Sequence, residues 1–279
     1  MPFQPNTVNT FRDLHRGDQV LLLANIWDAA GARLVATAGA KAIATTSAGV
    51  AWTCGYADGS ALPVERLMIT VDDIVRCSEL PVTVDIEDGY SDDPAAVAEL
   101  AVTLSRAGVA GINIEDSAGP AELLAAKIKA VRSALAEQGL DLFVNARTDV
   151  YLRRIAQGQE AIEETLRRAE HYKAAGADGL FVPALSDAEA MRAISAAPHG
   201  LPLNVMAVPG LPELDALHSA GVRRLSLGAA TAIRTYGFLR GQSAKFLATG
   251  SVAGVVESAP SEYAFAYADA NALFKQEGQ

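Results

Sequence analysis

Short runs of uninterrupted apolar residues alternate along this chain with longer segments in which apolar residues recur every three or four positions. The short runs number eight: Val20–Ala24, Ala42–Ser47, Pro81–Val84, Gly111–Asp116, Leu142–Ala146, Gly179–Pro183, Leu201–Met206 and Arg224–Gly228. Four of them follow an Ala-Gly-small phrase, at Gly39, Gly108, Gly176 and Gly221, which predicts a helix that ends on a left-handed glycine and turns directly into a strand. The longer segments, among them Pro94–Arg106, Pro120–Gln138, Gln159–Ala175 and Ser186–Ala197, set an apolar stripe against a charged face and predict amphipathic helices. Strands without polar alternation, separated by helices, imply a parallel sheet covered on both faces. Eight of them close most economically into a (β/α)8 barrel. An open doubly wound sheet is the alternative, but no Gly-x-Gly-x-x-Gly loop follows any strand. The expected architecture is a single α/β TIM barrel over residues 1–234 with a C-terminal helical extension over 235–279. Tyr263-Ala264-Phe265-Ala266-Tyr267 and Leu273-Phe274 give that extension an apolar face, to be covered by its own barrel or by a neighbouring subunit.

Composition narrows the class. With 279 residues, half of them apolar, the chain can bury a large core. A net charge of -10 without a basic run excludes a phosphate-backbone partner, so no nucleic acid is expected. No charged leader precedes an apolar stretch at the N-terminus, and no window reaches the roughly 20 apolar residues of a membrane span. The expectation is a soluble cytoplasmic protein that does not engage a membrane. Cys54 and Cys77 have no metal-binding spacing and are expected to be thiols, as suits a reducing compartment.

In a (β/α)8 barrel, chemistry gathers at the C-terminal ends of the strands. Here those ends carry Asn25, Trp27 and Asp28; Ser47; Asp85 and Glu87; Glu115 and Asp116; Asn145, Arg147 and Asp149; Pro183; Asn204; and Ser226 and Gly228. Lysine and histidine are missing from the set, which removes the amine of a Schiff-base aldolase and the imidazoles of a tight zinc site. Clustered carboxylates favour Mg2+ or Mn2+, with Asp85 as the direct ligand and Glu87 and Glu115 reaching through water. The plainer alternative is that these acids cap helices or pair with Arg147, but one arginine cannot neutralise three or four of them. Arg147 can grip a substrate carboxylate in two hydrogen bonds, or form a salt bridge to Glu115 or Asp149, and the two roles can coexist. Ser47-Ala48-Gly49 offers a hydroxyl and successive amides as an anion nest, or simply a small-residue turn. Asp58, in the loop from Trp52 to Pro63, reads by itself as a turn residue.

The phrases Thr46-Ser47-Ala48-Gly49, Val84-Asp85-Ile86-Glu87-Asp88-Gly89-Tyr90, Ile114-Glu115-Asp116, Asn145-Ala146-Arg147-Thr148-Asp149 and Pro202-Leu203-Asn204, with the Asp58 loop, together resemble the isocitrate lyase/phosphoenolpyruvate mutase superfamily. The resemblance runs from about Leu21 to Arg234. It implies a (β/α)8 barrel that binds Mg2+ through Asp85, with Asp58, Glu87 and Glu115 holding metal-bound waters. It also implies that Ser47, the amides of Ala48 and Gly49, and Arg147 grip the carboxylate of a 2-oxo acid, that Asn204 lines the pocket, and that subunits form dimers or tetramers by exchanging C-terminal helices. Three departures stand out. Glu87 replaces the second aspartate of Asp-x-Asp-Thr-Gly. Ser117-Ala118-Gly119-Pro120 replaces the lyase loop Lys-Lys-Cys-Gly-His, whose cysteine moves the proton. Pro183 and Ala207-Val208-Pro209-Gly210 stand where lyases carry glutamates. The resemblance therefore implies a Mg2+-dependent carbon–carbon lyase acting through an enolate of a small 2-oxo acid, with Asp85, Glu115, Arg147 and Ser47 at its centre. Phosphonopyruvate-type P–C chemistry is one alternative, and a barrel that binds a 2-oxo acid without turnover is another.

Overall fold

The computed structural model describes residues 5–252 and 265–275, so Tyr263 and Ala264 of the apolar tail lie outside the described residues. Its strands are β1 Leu21–Leu23, β2 Asn25–Ile26, β3 Ile43–Thr45, β4 Val82–Asp85, β5 Gly111–Glu115, β6 Phe143–Arg147, β7 Gly179–Phe181, β8 Leu203–Met206 and β9 Val222–Ser226. The helices are α1 Pro5–Leu14, α2 Ala29–Thr37, α3 Ser47–Thr53, α4 Val64–Arg76, α5 Pro94–Arg106, α6 Ala121–Glu137, α7 Gly158–Ala175, α8 Ala188–Ser195, α9 Leu214–Ser219, α10 Ala230–Thr249 and α11 Tyr267–Ala272. All strand pairs are parallel, in the order β1-β9-β8-β7-β6-β5-β4-β3-β2. The predicted first strand, Val20–Ala24, corresponds to β1 alone, which pairs with β9, Leu21 opposite Arg224; the chain continues beyond it as β2, which pairs with β3, Asn25 opposite Ala44, and this brings the two edges of the sheet together as a nearly closed barrel.

The predicted helix-to-strand turns are present: Gly39, Gly108, Gly176 and Gly221 all adopt left-handed φ between +86° and +106°. α5 spans the residues that its periodicity indicates, and its N-terminus is capped by Asp93, whose carboxylate accepts the Ala95 amide. Two apolar layers result. The larger lies between strands and helices and includes Ile74, Val84, Leu104, Ile112, Val144 and Leu180.

The smaller layer fills the barrel's interior at its N-terminal end, where α1 acts as a stopper. Val8 and Phe11 from α1 pack with Leu21, Leu23, Ala42, Ala44, Ala110 and Phe143. Phe11 sits edge-on to Phe143, ring centroids 5.3 Å apart. Gly111 makes room for it, since a Cβ there would stand 2.9 Å from Phe11 Cε1. Closing one end this way leaves the C-terminal mouth as the open end of the barrel interior among the described residues.

α10 leaves the barrel after β9 and runs unbroken through Arg234. Tyr236 packs between Trp27 and Trp52 and its hydroxyl lies 3.0 Å from Thr53 Oγ1, which ties the helix to α3. The segment that carries α11 returns to the same barrel, where Arg33 Nε donates to the Leu273 carbonyl at 2.7 Å. Among the described residues, no helix is long and apolar enough to cross a membrane.

Candidate active site

β4 ends by turning its last carboxylate inward. The Asp85 amide donates to Thr45 Oγ1 at 2.9 Å, Asp85 Oδ1 accepts the Glu87 amide at 3.0 Å, and Asn113 Nδ2 approaches Oδ2 at 3.5 Å. The first bond anchors the Asp85 backbone to β3, and the second holds its carboxylate from the turn that follows β4. Glu87 follows in left-handed geometry, φ +53°, and so turns its own carboxylate into the rim. There it is held by the Ser60 amide, by Ser60 Oγ at 3.3 Å and by the Tyr90 hydroxyl at 3.3 Å. Ser60 belongs to the loop after α3 and also donates to Asp88 at 2.7 Å, so this loop folds over the rim. It carries Asp58, which is exposed, yet whose charge adds to the upward push on the Asp85, Glu87 and Tyr90 pKa values.

Across the mouth, Glu115 and Arg147 meet in register at the ends of β5 and β6, Arg147 Nη1 lying 2.6 Å from Glu115 Oε2. Ser117 Oγ donates to the other Glu115 oxygen at 2.7 Å. Asp149, fully buried, takes Arg147 Nε at 2.8 Å and Nη2 at 3.2 Å. Of the five N–H donors of a guanidinium, these three contacts leave two for a ligand. Both salt bridges that the sequence allows are formed, and the side chain keeps capacity to spare.

Burial dominates the electrostatics. It pushes Asp85 and Glu87 above the usual carboxylate range, and it pushes Glu115 up to about 7 despite Arg147, because Asp85 and Asp149 stand nearby. An acid whose folded-state pKa is raised contributes stability that is fully present below its unfolded value and is lost as pH rises through the folded one. In metal-free protein, Glu115 is therefore expected to lower the melting temperature progressively from about pH 4.5 to about pH 7. Glu115→Gln should flatten that part of the curve, and parallel Tm–pH curves for the two proteins would show that Glu115 ionises normally.

Ser47, Ala48 and Gly49 form the first turn of α3, behind a Thr46 cap that makes no side-chain bond. Their amides lie at the positively polarised end of the helix and have no intrahelical partners. Gly49 is required by a close approach: a Cβ would stand 2.8 Å from Thr46 Cγ2 and 2.9 Å from Trp27 Cβ. Asn204 lies deeper than the rim, 1% exposed, in contact with Asn145 at 3.0 Å and within 3.3 Å of Ser226 Oγ.

The roles of two groups escape sequence reasoning. Asp116 is buried and accepts from Arg168 Nη1 and the Tyr172 hydroxyl, each at 2.7 Å, and from the Asp149 amide at 3.0 Å. It therefore braces the residue that holds Arg147. Helical spacing in α7 places Arg168 and Tyr172 on one face, but nothing local marks their partner. The other group is the set of polar residues inside the barrel: Asn145 reads in sequence only as a strand-end residue, and Asn113 and Arg224 only as members of strand runs. Among the described residues, no three His, Cys, Asp or Glu side chains gather closely enough to ligate one ion directly. Asp85 faces the mouth without a cation in contact, beside Glu87 and Glu115.

A family model described as phosphoenolpyruvate phosphomutase matches residues 11–247. An uncharacterized protein of Mycobacterium tuberculosis strain H37Rv is 40% identical over 229 residues, 78% of this chain and 81% of that protein. The 2-methylisocitrate lyase of Bacillus subtilis strain 168 is 30% identical over 65% of this chain and 61% of its own length. A solved structure of a candidate phosphonomutase from Burkholderia cenocepacia J2315 is 43% identical, with a TM-score of 0.79, covering 85% of this chain and 98% of that one.

Proposed function

The chain belongs to the phosphoenolpyruvate phosphomutase family, within the superfamily whose relatives are named lyases and mutases, and from its site we propose a Mg2+-dependent lyase. It cleaves a carbon–carbon bond next to the 2-oxo group of a small acid, or of a 2-hydroxy diacid that yields one, through an enolate-like state. The observation that carries this reading is a buried carboxylate, Asp85, held by amide and side-chain N–H groups and in no salt bridge among the described residues, beside two more raised carboxylates and an arginine with donors to spare.

A hard divalent cation fits that donor set, because oxygen ligands abound and imidazole and thiolate are missing from the rim. Asp85 would hold it directly, and Glu87, Glu115 and Asp58 would hold its waters; Mn2+ is an alternative occupant. When bound, it would supply positive charge where a 2-oxo oxygen becomes an enolate. The remaining work falls to the chain. Arg147 orients the substrate carboxylate with its two unused N–H groups, while the Ser47 hydroxyl and the amides of Ser47, Ala48 and Gly49 take the same carboxylate from the other side. Glu115, poised near neutrality, can hold or release a proton at the rim. Asn204 shapes the pocket floor.

The test is a panel of 2-hydroxy diacids, oxaloacetate and phosphonopyruvate assayed with Mg2+ and again with EDTA. Metal-dependent release of a 2-oxo acid is the expected result. The similarity to a candidate phosphonomutase favours a second reading, P–C bond chemistry, and turnover of phosphonopyruvate alone would select it. Silence on every substrate would defeat both.

The same reading makes the protein a homo-oligomer. Ile233, Phe238, Leu239 and Leu247 of α10 are between 57% and 81% exposed, apolar surface around that helix for a second copy to cover. Light scattering should report a dimer or tetramer, and Phe238→Glu with Leu247→Glu should yield monomer; an unchanged mass in the double variant would remove this surface from the interface. We place the activity in the cytoplasm, where Cys54 and Cys77, both free, stay reduced.

A further inference from the structure

One tier inside the rim lies an arginine that a stability argument alone would discard. Arg224, from β9, is 1% exposed and makes no ion-pair contact among the described residues. Its Nη2 donates to Asn113 Oδ1 at 3.2 Å and its guanidinium carbon lies 5.9 Å from the centre of the Phe11 ring, while Nε and Nη1 find no hydrogen-bond partner among the described residues. Burying a cation in this manner is expensive, and an apolar side chain of similar volume would ordinarily serve the fold better.

The one side-chain hydrogen bond that Arg224 makes among the described residues indicates what it does. Asn113 Oδ1 accepts from both Arg224 Nη2 and Asn145 Nδ2, the latter at 2.9 Å. With two donors on the oxygen, the amide is fixed in one orientation, and its Nδ2 faces Asp85 Oδ2 at 3.5 Å. Rotated by half a turn, Asn113 would instead present its oxygen to a buried carboxylate. The other members of the tier are tied in turn. Asn145 Nδ2 also donates to Asn204 Oδ1 at 3.0 Å, and Asn204 Nδ2 donates to the Arg224 carbonyl at 3.2 Å. Arg224 thus closes a ring of amides whose free end points at Asp85, and its charge lies beneath the carboxylate cluster without touching it. Burial pulls the Arg224 pKa down to about 9, and the nearby Asp85 charge offsets only part of that.

We propose that Arg224 is a positioning residue for the site: it locks the Asn113 amide toward Asp85 and so presents the Asp85 carboxylate to a divalent cation. This rests on the metal-dependent reading given under Proposed function. A supporting group one step removed from a metal ligand commonly changes metal affinity by ten- to a hundredfold.

The test compares full-length wild type, Arg224→Met, Arg224→Lys, Asn113→Ala and the Arg224→Met/Asn113→Ala double variant, by Mn2+ titration calorimetry and by thermal melting in EDTA. Arg224→Met should melt higher than wild type yet bind Mn2+ about tenfold more weakly, and Arg224→Lys, which keeps the charge without the bond to Asn113, should bind as weakly. Asn113→Ala should cost a similar factor, and the double variant no more than the worse single one, because both act along one chain of contacts. A lower melting temperature with unchanged Mn2+ affinity in Arg224→Met, or factors that multiply in the double variant, would overturn the proposal. A crystal structure of metal-free Arg224→Met separates it from the metal reading. An Asn113 amide turned away and a displaced Asp85 carboxylate are expected; both unmoved would refute positioning whether or not the wild type binds metal. If Arg224→Met does not fold, Arg224→Lys carries the same comparisons, since its shorter reach keeps the charge but loses the bond to Asn113.

Discussion

Asp85→Ala should reduce kcat/KM by at least about a thousandfold, roughly 4 kcal/mol of transition-state stabilisation, while leaving the fold intact or more stable. The two halves of that expectation have one cause. Burial raises the Asp85 pKa, so its charged form is held in the barrel against desolvation, and a cation offsets that cost only when bound. The sign follows: the stability of the metal-free wild type falls as pH rises through the raised pKa, and the alanine variant escapes that loss. Metal should raise the melting temperature of wild type, by about 2.7 kcal/mol of stability at a hundredfold excess over Kd, and should leave Asp85→Ala unmoved. Melting scans at pH 8 with and without Mg2+ check both points. A variant that keeps its Mg2+ response, or that turns substrate over within tenfold of wild type, would show that Asp85 is not the direct ligand.

Arg168→Met should produce the largest loss of stability. The Asp116 side chain is wholly buried, and Arg168 is its only ion-pair partner among the described residues. Removing one partner of a buried pair commonly costs about 3–5 kcal/mol, because the other charge is left in place. At about 2–4 °C per kcal/mol for a chain of this size, the melting temperature should fall by roughly 10 °C. Activity should fall too, since Asp116 fixes the Asp149 amide and Asp149 holds two of the Arg147 nitrogens. Tyr172→Phe removes a single hydrogen bond to the same oxygen and should cost only about 1 kcal/mol. Calorimetric melting of the two variants decides the matter, and equal small losses would mean that solvent or a shifted side chain compensates Asp116.

The strands, the alternating helices and the carboxylate-lined mouth were all legible in the amino-acid order, because each is a local property. Period, capping glycines and the strand-end position are set by neighbours within a few residues, and the barrel rule then brings those ends together. Glu115 and Arg147 illustrate this, being adjacent in register once the sheet is parallel. α1 was not legible: its ten residues are short and polar on average, and its role depends on a hole that exists only when the barrel is closed. Nor was the helical state of Ser47–Thr53, a seven-residue turn rich in small side chains.

What the sequence determined by itself is the periodic alternation and the sign and type of chemistry at the strand ends, because these follow from side chains read one turn or one pleat at a time. The partnering of buried polar groups was left to the tertiary structure: Asp116 with Arg168, 52 residues away, and Arg224 with Asn113, 111 away. A buried charge is tolerable only where the closed barrel happens to bring a partner. Which partner that is cannot be known until the chain has come round upon itself.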